Sequence, residues 1–563
     1  MADDTATPTR SWSQALAVYG ERSTLTMYGL GFACGLPFWL IYDTLTAWLR
    51  QASLSLDIIA FFSLATLPYA FKFLWAPLLD RTHVPVLTRL MGHRRSWMIV
   101  AQVFVVIGLL AISVTDPASN FALTATVAIF IGFAGATQDI VVDAWRIEVV
   151  PLSKQGAMLT AYQWGHRTSF LIAGAVPLYI ADRLNWSVGY FAMAGAMVLA
   201  ILATILAPRE VAHELRPIPR AEGEPRPVAE RIEWAIRLLI LATGALVLGS
   251  GLSARDVALV TLMPAQIAAP FDVLWKTPTV GLFVQVGAVI TGFALIVLCA
   301  WPLPGRQTQP GLYLAHAFGD PLKDFFQRFG RAAILMLVLI CFYRISQFLL
   351  NIMNPFYLDL GFTLSEIASV RKFYGAAMDM LGVLVGGLAI TRWGLMRCVV
   401  VGAVIAPVSN LGFAVLATQG PSIPMFMLWL GFNNVFQNFA GVCLIAYMSS
   451  LTGAGFTATQ YALFTSLYAL PDKFIMTQSG RIIENMAKSA DEGGLFAPLK
   501  TFFTDMPAGS FVSGAAKTGI AADALGAGYM GYFFYTALLG LAVFPVAVIV
   551  ARRKAAVDRA AAA

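Results

Sequence analysis

Lys72, Asp139 and Asp143 are charged residues set inside apolar sequence, in Tyr69-Ala-Phe-Lys72-Phe-Leu-Trp75 and Ala136-Thr-Gln-Asp139-Ile-Val-Val-Asp143-Ala-Trp145. Arg167, Arg344 and Asp379 interrupt three other apolar runs. A charge at membrane depth costs at least about 2.5 kcal/mol, so it faces a partner or a water-filled path. Several such charges on separate helices imply a polar route through a bundle, the chemistry of moving a polar solute across lipid.

Depth follows from a helical rise of about 1.5 Å per residue. Lys72 lies about 12 Å from the helix end at Asp80, and Asp139 lies about 10 Å from Arg146. Matching depths on neighbouring helices predict a Lys72–Asp139 pair. Asp139 and Asp143 are four apart and share a helix face. Two carboxylates so close resist ionising together, and a group that gains and loses a proton is what proton coupling requires. A static charge network bracing a gate explains the same residues, and Asp143, the shallower, leans to the gate.

Arg167 and Arg344 both come out about 20 Å deep, near the midplane. The arginine fork binds carboxylates bidentately, which suits an acidic solute. The competing reading is that buried acids or carbonyls hold each arginine, and Asp379 is placed to hold Arg344. Further solute contacts are expected among Gln138, Gln163, Trp164, His166, Gln347, Asn351, Asn354, Tyr374, Asn433, Asn434, Gln437 and Asn438. Only a minority should face a cavity, because polar side chains also join helices in a membrane. His166, beside Arg167, reads as a hydrogen-bonded structural residue. Asp43 is expected at the outer mouth, while Asp472 and Lys473, adjacent on one helix, point apart.

These residues need a scaffold. The chain has 563 residues, 58% of them hydrophobic and 12% charged, which excludes an ordinary soluble domain. Fourteen candidate spans are expected at about 24–49, 57–79, 96–114, 121–145, 155–181, 186–207, 232–250, 280–300, 331–355, 364–390, 397–417, 424–448, 457–484 and 529–551. Met1 to Arg22 has no apolar core followed by a cleavage site, so the first apolar run is expected to be the first span.

The net charge of +7 comes from arginines and lysines in short connections. That positive-inside pattern puts both termini in the cytoplasm and argues against nucleic acid. Cys34, Cys299, Cys341, Cys398 and Cys443 are scattered singly, with no metal spacing. No metal or cofactor is expected. An enzyme would need a His/Asp constellation at a membrane face; His83 and His93 lack one.

The middle of the chain departs from its flanks. Residues 208–231 are rich in Pro, Arg and Glu and read as a cytoplasmic linker. An inserted pair of spans follows at 232–300, free of intramembrane charge, then a second linker at 301–330. Removing 208–330 leaves six spans at 24–207 and six at 331–551, after an N-terminal segment 1–23 and before a tail 552–563. The halves echo each other: Gly92-His-Arg94-Arg95 follows the second span, and Gly394-Leu-Met-Arg397 stands at the corresponding place. This is an all-α membrane protein of major facilitator architecture, two six-helix bundles plus an inserted pair, with its solute site between the halves.

The chain resembles the AmpG-type muropeptide permeases, within the peptide/acetyl-coenzyme A transporter family of the major facilitators. Carrying the resemblance are Leu30-Gly-Phe-Ala-Cys-Gly-Leu-Pro37, Phe71-Lys-Phe-Leu-Trp-Ala-Pro-Leu-Leu-Asp-Arg81, Gly92-His-Arg-Arg-Ser-Trp97, Ala136-Thr-Gln-Asp-Ile-Val-Val-Asp-Ala-Trp145 and Ala458-Thr-Gln-Tyr-Ala-Leu463. The resemblance implies proton-driven import of N-acetylglucosamine–1,6-anhydro-N-acetylmuramyl peptides across the bacterial inner membrane. It implies a role in peptidoglycan recycling and, indirectly, in β-lactamase induction and antibiotic resistance. It also implies that Asp80, Arg81, Arg94 and Arg95 latch one state of an alternating-access cycle. Other members carry acetyl-coenzyme A or siderophores, the alternative substrates. Partners are then the muropeptide, protons and lipid, and a monomer suffices because one chain holds both halves. Gly31, Gly35 and Pro37 are expected to permit close packing and a bend in the first span. Neither the inserted pair nor segment 486–527 declares a purpose.

Overall fold

Apolar sequence in lipid must satisfy its own backbone, and a helix does so within one segment. This computed structural model describes residues 12–52, 63–210, 227–253, 256, 259–260, 263–277, 280–301, 308–476, 479–507 and 509–562. All regular structure among them is helical. The principal helices are α1 (Arg22–Trp39), α2 (Ala76–Arg81), α3 (His93–Ser113), α4 (Phe121–Val149), α5 (Gln155–Arg183), α6 (Trp186–Leu206), α7 (Pro227–Ser253) and α8 (Val280–Ala300). They continue with α9 (Gln309–Phe329), α10 (Ala332–Phe342), α11 (Ala376–Trp393), α12 (Leu395–Ser409), α13 (Ile423–Ser450), α14 (Thr457–Met476) and α15 (Ala522–Leu541).

Ten helical stretches among the described residues are long and apolar enough to cross a membrane. They coincide with ten of the fourteen expected spans. Of the other four, the second bears Lys72, α5 bears His166 and Arg167, α13 bears the run Asn433 to Asn438, and α14 bears Asp472 and Lys473. At 29 and 28 residues, α5 and α13 are long enough; polarity sets them apart. Of these, α5 and α13 carry several of the candidate solute contacts, while Gln138, Arg344, Gln347 and Tyr374 sit on stretches that do qualify. Phe191, Leu199, Leu239, Phe283 and Phe293 are more than half exposed, as lipid-facing side chains are.

Local chemistry sets the helix ends. Asn120 accepts from the Leu123 amide at 3.1 Å to open α4, and Asn185 accepts from Val188 at 2.9 Å to open α6. Gly92 (φ +98°) and Gly394 (φ +85°) precede α3 and α12 in the same left-handed conformation, so the echo in sequence is also an echo in backbone. In α1, Pro37 precedes a wide turn at Leu40–Thr44. Gly31 lies against Tyr162 and Gly35 against His166, letting α1 and α5 approach closely.

One apolar core draws on residues 33–200 and another on 349–533. The inserted helices α7 and α8 pack on each other, and Leu248 and Ile296 join a core with Met27, Trp145 and Ala458.

Three expectations need correction. The inserted pair does carry charge: Arg237 is buried in α7, bonded to Glu233 at 2.7 Å and to the Trp301 carbonyl at 3.0 Å. The second linker is largely the amphipathic helix α9, with Leu314, Ala317, Pro321, Phe325 and Phe329 on its buried face. Segment 486–527 is helical in several pieces, including Ser479–Asp491 and Val512–Thr518, and α15 begins at Ala522 rather than 529.

Candidate functional site

Pro68 and Pro77 interrupt the helix around Lys72, which falls in a tight turn, Lys72–Leu74. There Lys72 Nζ forms an ion pair with Asp139 and lies 3.7 Å from Asp143 Oδ2. Tyr162 donates its hydroxyl to Asp139 Oδ1 at 2.8 Å. Arg146 Nη2 donates to Asp143 Oδ1 at 3.2 Å, and its Nη1 reaches Gln155 at 3.0 Å and Ser449 Oγ at 3.1 Å. The side chains of Lys72, Asp139 and Asp143 are 8%, 16% and 10% exposed. The network holds two cations and two carboxylates, so it is neutral as drawn, which is the condition for keeping charge buried.

A second cluster lies at the same end of the bundle. Asp80 is 1% exposed and accepts from Arg94 Nη2 at 2.8 Å. It also accepts from the Thr459 amide at 2.9 Å, the Thr459 hydroxyl at 2.7 Å and the Ala458 amide at 3.3 Å, at the start of α14. A carboxylate there meets unpaired amides and the positive end of the helix dipole. Arg94 also binds Glu148 at 2.6 Å and 3.0 Å, and its amide donates to Glu210 at 2.8 Å. Arg81 donates to the His316 carbonyl at 2.7 Å and to Asp320 at 3.2 Å on α9. Arg95 donates to the Thr204 and Ile205 carbonyls that end α6.

A third set of contacts runs along α5 and α11. Gly156 lies against Gly387, Thr160 donates to the Val383 carbonyl at 3.1 Å, and Trp164 donates to the Met380 carbonyl at 3.2 Å. Arg167 then pairs with Asp379 at 3.0 Å. Spacing of three to four residues on α5, met by Gly387, Val383, Met380 and Asp379 on α11, places these contacts along one facing stripe.

Beyond Asp379 opens a cavity of about 390 Å³ lined by residues between Arg344 and Tyr468. Gln347, Asn434, Gln437 and Asn438 line it, as do Asn433 and Asp379. Asn438 donates to Asp379 Oδ1 at 2.7 Å and Asn434 to the Gly375 carbonyl at 3.0 Å. Asn433 and Gln437 spend their amide hydrogens on Asn410, Ser409 and the Ala406 carbonyl, so they join helices as well as facing the cavity.

Several expectations are placed differently. Asp379 holds Arg167, not Arg344. Among the described residues Arg344 forms no ion pair; its nearest partners are the Tyr468 hydroxyl and the Gln437 carbonyl, both at 3.4 Å. Gln138 is fully buried against Cys34, and Tyr374 packs on Gly431; neither lines the cavity. Gln163 is half-buried on α5 and is not among the cavity's lining residues. His166 accepts from Trp39 Nε1 at 3.4 Å. Asn354 accepts from Arg371. Asp43 is exposed on the wide turn after α1. The side chains of Asn351, Asp472 and Lys473 lie outside the described residues.

Tyr162, Glu148, Glu210, Arg371, Ser449, Thr459 and Tyr468 were not singled out by sequence. Glu148 and Glu210 sit among arginines at helix ends, where acids are commonplace, and Thr459 acts through its backbone amide as well as its hydroxyl. Arg371 resembles an interfacial charge.

The sequence profile of the Major Facilitator Superfamily matches residues 23–471. The anhydromuropeptide permease of Escherichia coli (strain K12) is 26% identical over 475 residues, covering 84% of this chain and 76% of that protein. A Rickettsia conorii protein described as "Putative transporter AmpG 4" is 24% identical over 472 residues, covering 83% of this chain and 92% of that one. The arrangement of paired charges across apolar helices fits a solute path. The match over most of its length makes this chain a multi-pass transporter rather than an enzyme, a member of the Major Facilitator Superfamily.

Proposed function

We propose that the chain imports N-acetylglucosamine–1,6-anhydro-N-acetylmuramyl peptides from periplasm to cytoplasm in symport with protons, in a bacterial inner membrane. It does so as two six-helix bundles with α7 and α8 inserted between them, fourteen spans in all, and with both termini cytoplasmic. In that orientation the Asp80 end is cytoplasmic and closed. The cavity beside Arg344 lies beyond the Arg167–Asp379 pair, on the periplasmic side of the closure.

The observation that carries the reading is Arg344 in a polar cavity where, among the described residues, it forms no ion pair. A guanidinium so placed is completed by a ligand carboxylate, and peptide stems bring carboxylates. The amides of Gln347, Asn434 and Asn438 supply donors and acceptors for the rest of the solute. Proton coupling is assigned to Asp139 and Asp143, whose charge is balanced by Lys72 and Arg146. Asp80 is assigned to the latch, because it ties residues of the first half to the start of α14.

The test is uptake of radiolabelled disaccharide anhydromuropeptide into proteoliposomes, with and without an imposed proton gradient, for wild type and Asp139→Asn. Gradient-driven uptake that is lost in the variant while exchange persists supports the assignment. Uptake indifferent to the gradient refutes symport; no uptake by wild type refutes the substrate.

A further inference from the structure

Three arginines from separate elements meet where α6 stops. Arg22, at the start of α1, donates from Nε to the Leu206 carbonyl at 2.7 Å. Arg95, in the first turn of α3, donates to the Thr204 carbonyl at 3.1 Å and to the Ile205 carbonyl at 2.6 Å. Arg209, just past the end of α6, donates to the Leu90 carbonyl. Arg22 and Arg209 are exposed and Arg95 is half-buried. Among the described residues none of the three forms an ion pair, and these hydrogen bonds all go to neutral carbonyls.

Capping a helix does not call for so much charge. The C-terminal end of a helix carries about half a negative charge, and Arg95 with Arg22 already serves the last carbonyls of α6. Arg22 and Arg209 lie close enough to repel Arg95, and Glu210 is the acid that opposes them. The Glu210 carboxylate also accepts from the Arg94 amide at 2.8 Å. Glu21, next to Arg22 in sequence, holds Lys154 at 2.7 Å. Three cations thus face one acid, and the surplus is positive.

Apolar surface runs away from this cluster. Val198, Leu199, Leu202 and Leu206 are each more than half exposed, and their spacing puts them on one face of α6. Leu25, about one turn beyond Arg22 on α1, is exposed as well, and α1 meets α6 where Gly29 lies against Ala203. A lipid-facing stripe that ends in guanidinium groups matches the two-part chemistry of a phospholipid, acyl chains along the stripe and a phosphate at the cluster. A soluble anion would leave the stripe unused. We propose that Arg22, Arg95 and Arg209 form a site for the phosphate of an anionic phospholipid whose acyl chains lie along α6. The bound lipid ties the ends of α1, α3 and α6 together at the Asp80 end of the bundle. The site does not depend on which solute the chain carries.

The experiment is native mass spectrometry of the purified full chain, titrated in detergent with phosphatidylglycerol or with zwitterionic phosphatidylethanolamine, and with inorganic phosphate as competitor. Wild type should hold its first phosphatidylglycerol at least about tenfold more tightly than phosphatidylethanolamine, and millimolar-range phosphate should not displace it. Combining Arg22→Gln with Arg209→Gln should weaken that first lipid roughly thirtyfold, since each basic side chain at a charged lipid surface is worth about a factor of five. Arg22→Gln alone should weaken it about fivefold, a readout that does not require the double variant to fold. Arg22→Lys with Arg209→Lys, which keeps the charge, should retain most of the affinity. Arg397→Gln, which removes an exposed cation at the same end but in the second half, should leave it unchanged. Equal affinity for the two lipids, or an equal loss in Arg397→Gln, overturns the site in favour of diffuse surface attraction. Displacement by inorganic phosphate overturns the lipid in favour of a soluble anion.

Discussion

Replacing Asp80 by asparagine tests the proposed latch. Of the bonds to this carboxylate, the one from Arg94 lies within the first half of the chain and persists through rigid rocking, so it cancels between states. Three that do not cancel come from α14: Ala458 N at 3.3 Å, Thr459 N at 2.9 Å and Thr459 Oγ1 at 2.7 Å. They hold a buried anion on a helix N-terminus, a placement worth up to about 2 kcal/mol where water is partly excluded. Asparagine keeps one acceptor oxygen and loses the charge. The closed state should lose about 2 kcal/mol, a factor of roughly thirty in the open-to-closed ratio. A population open at about one in a hundred would become about one in four.

Spin labels at Arg89 and Arg397, both exposed at that end, would report the separation by pulsed dipolar spectroscopy. Cys341, the least buried of the five native cysteines, should first be removed. Thr459→Val, which deletes only the hydroxyl bond, should shift the same distribution by about 1 kcal/mol. Unchanged distances in Asp80→Asn would refute the latch.

Lys72→Met should lower the unfolding midpoint in detergent, since breaking a buried pair costs about 3–5 kcal/mol. Adding Asp139→Asn should recover much of that loss, and purely additive effects would show the two residues do not interact. At Gly156, an added Cβ would stand 3.0 Å from the Gly387 Cα. Gly156→Leu should therefore hold the Asp80 end open in the spin-label assay and abolish uptake. Asp320→Asn, on a partner 35% exposed, should change Arg81 anchoring by less than about 0.5 kcal/mol and leave uptake near wild type; a severe loss would give α9 a larger part than its contacts suggest.

The buried charges were legible because an apolar run makes any charge conspicuous. Lys72 and Asp139 meet as depth along their helices predicts. Depth does not say which helix faces which. Arg344 and Asp379 lie at similar levels in one half, yet α11 turns Asp379 toward α5 and Arg167. Pair identity across helices depends on rotation about each axis, which spacing alone leaves open. The same gap hid Thr459, part of whose contribution is a backbone amide that every residue carries. Helix α9 is a different case: Leu314, Ala317, Pro321, Phe325 and Phe329 recur at helical spacing. That signal lay within a stretch read as linker because of its flanking prolines and charge.

Arg146 connects the Lys72–Asp139–Asp143 network to the second half of the chain. It bonds Asp143 inside the charge network and Ser449 at the end of α13, 303 positions away in sequence. Its guanidinium also stands 5.4 Å from the Tyr461 ring on α14. A change of charge at Asp143 would be felt by the group that ties α4 to the second half, so the proposed proton coupling would have a mechanical output there. Arg146→Gln should keep a hydrogen-bonding side chain but leave Lys72 alone against two carboxylates. The imbalance would then exist in every conformation, so a gradient could no longer favour one of them. Gradient-driven accumulation should disappear while solute exchange continues. Ser449→Ala removes only the cross-chain bond, worth about 1 kcal/mol, and should slow transport without abolishing its response to the gradient. If the two variants behave alike, Arg146 acts as a brace and coupling resides elsewhere in the network.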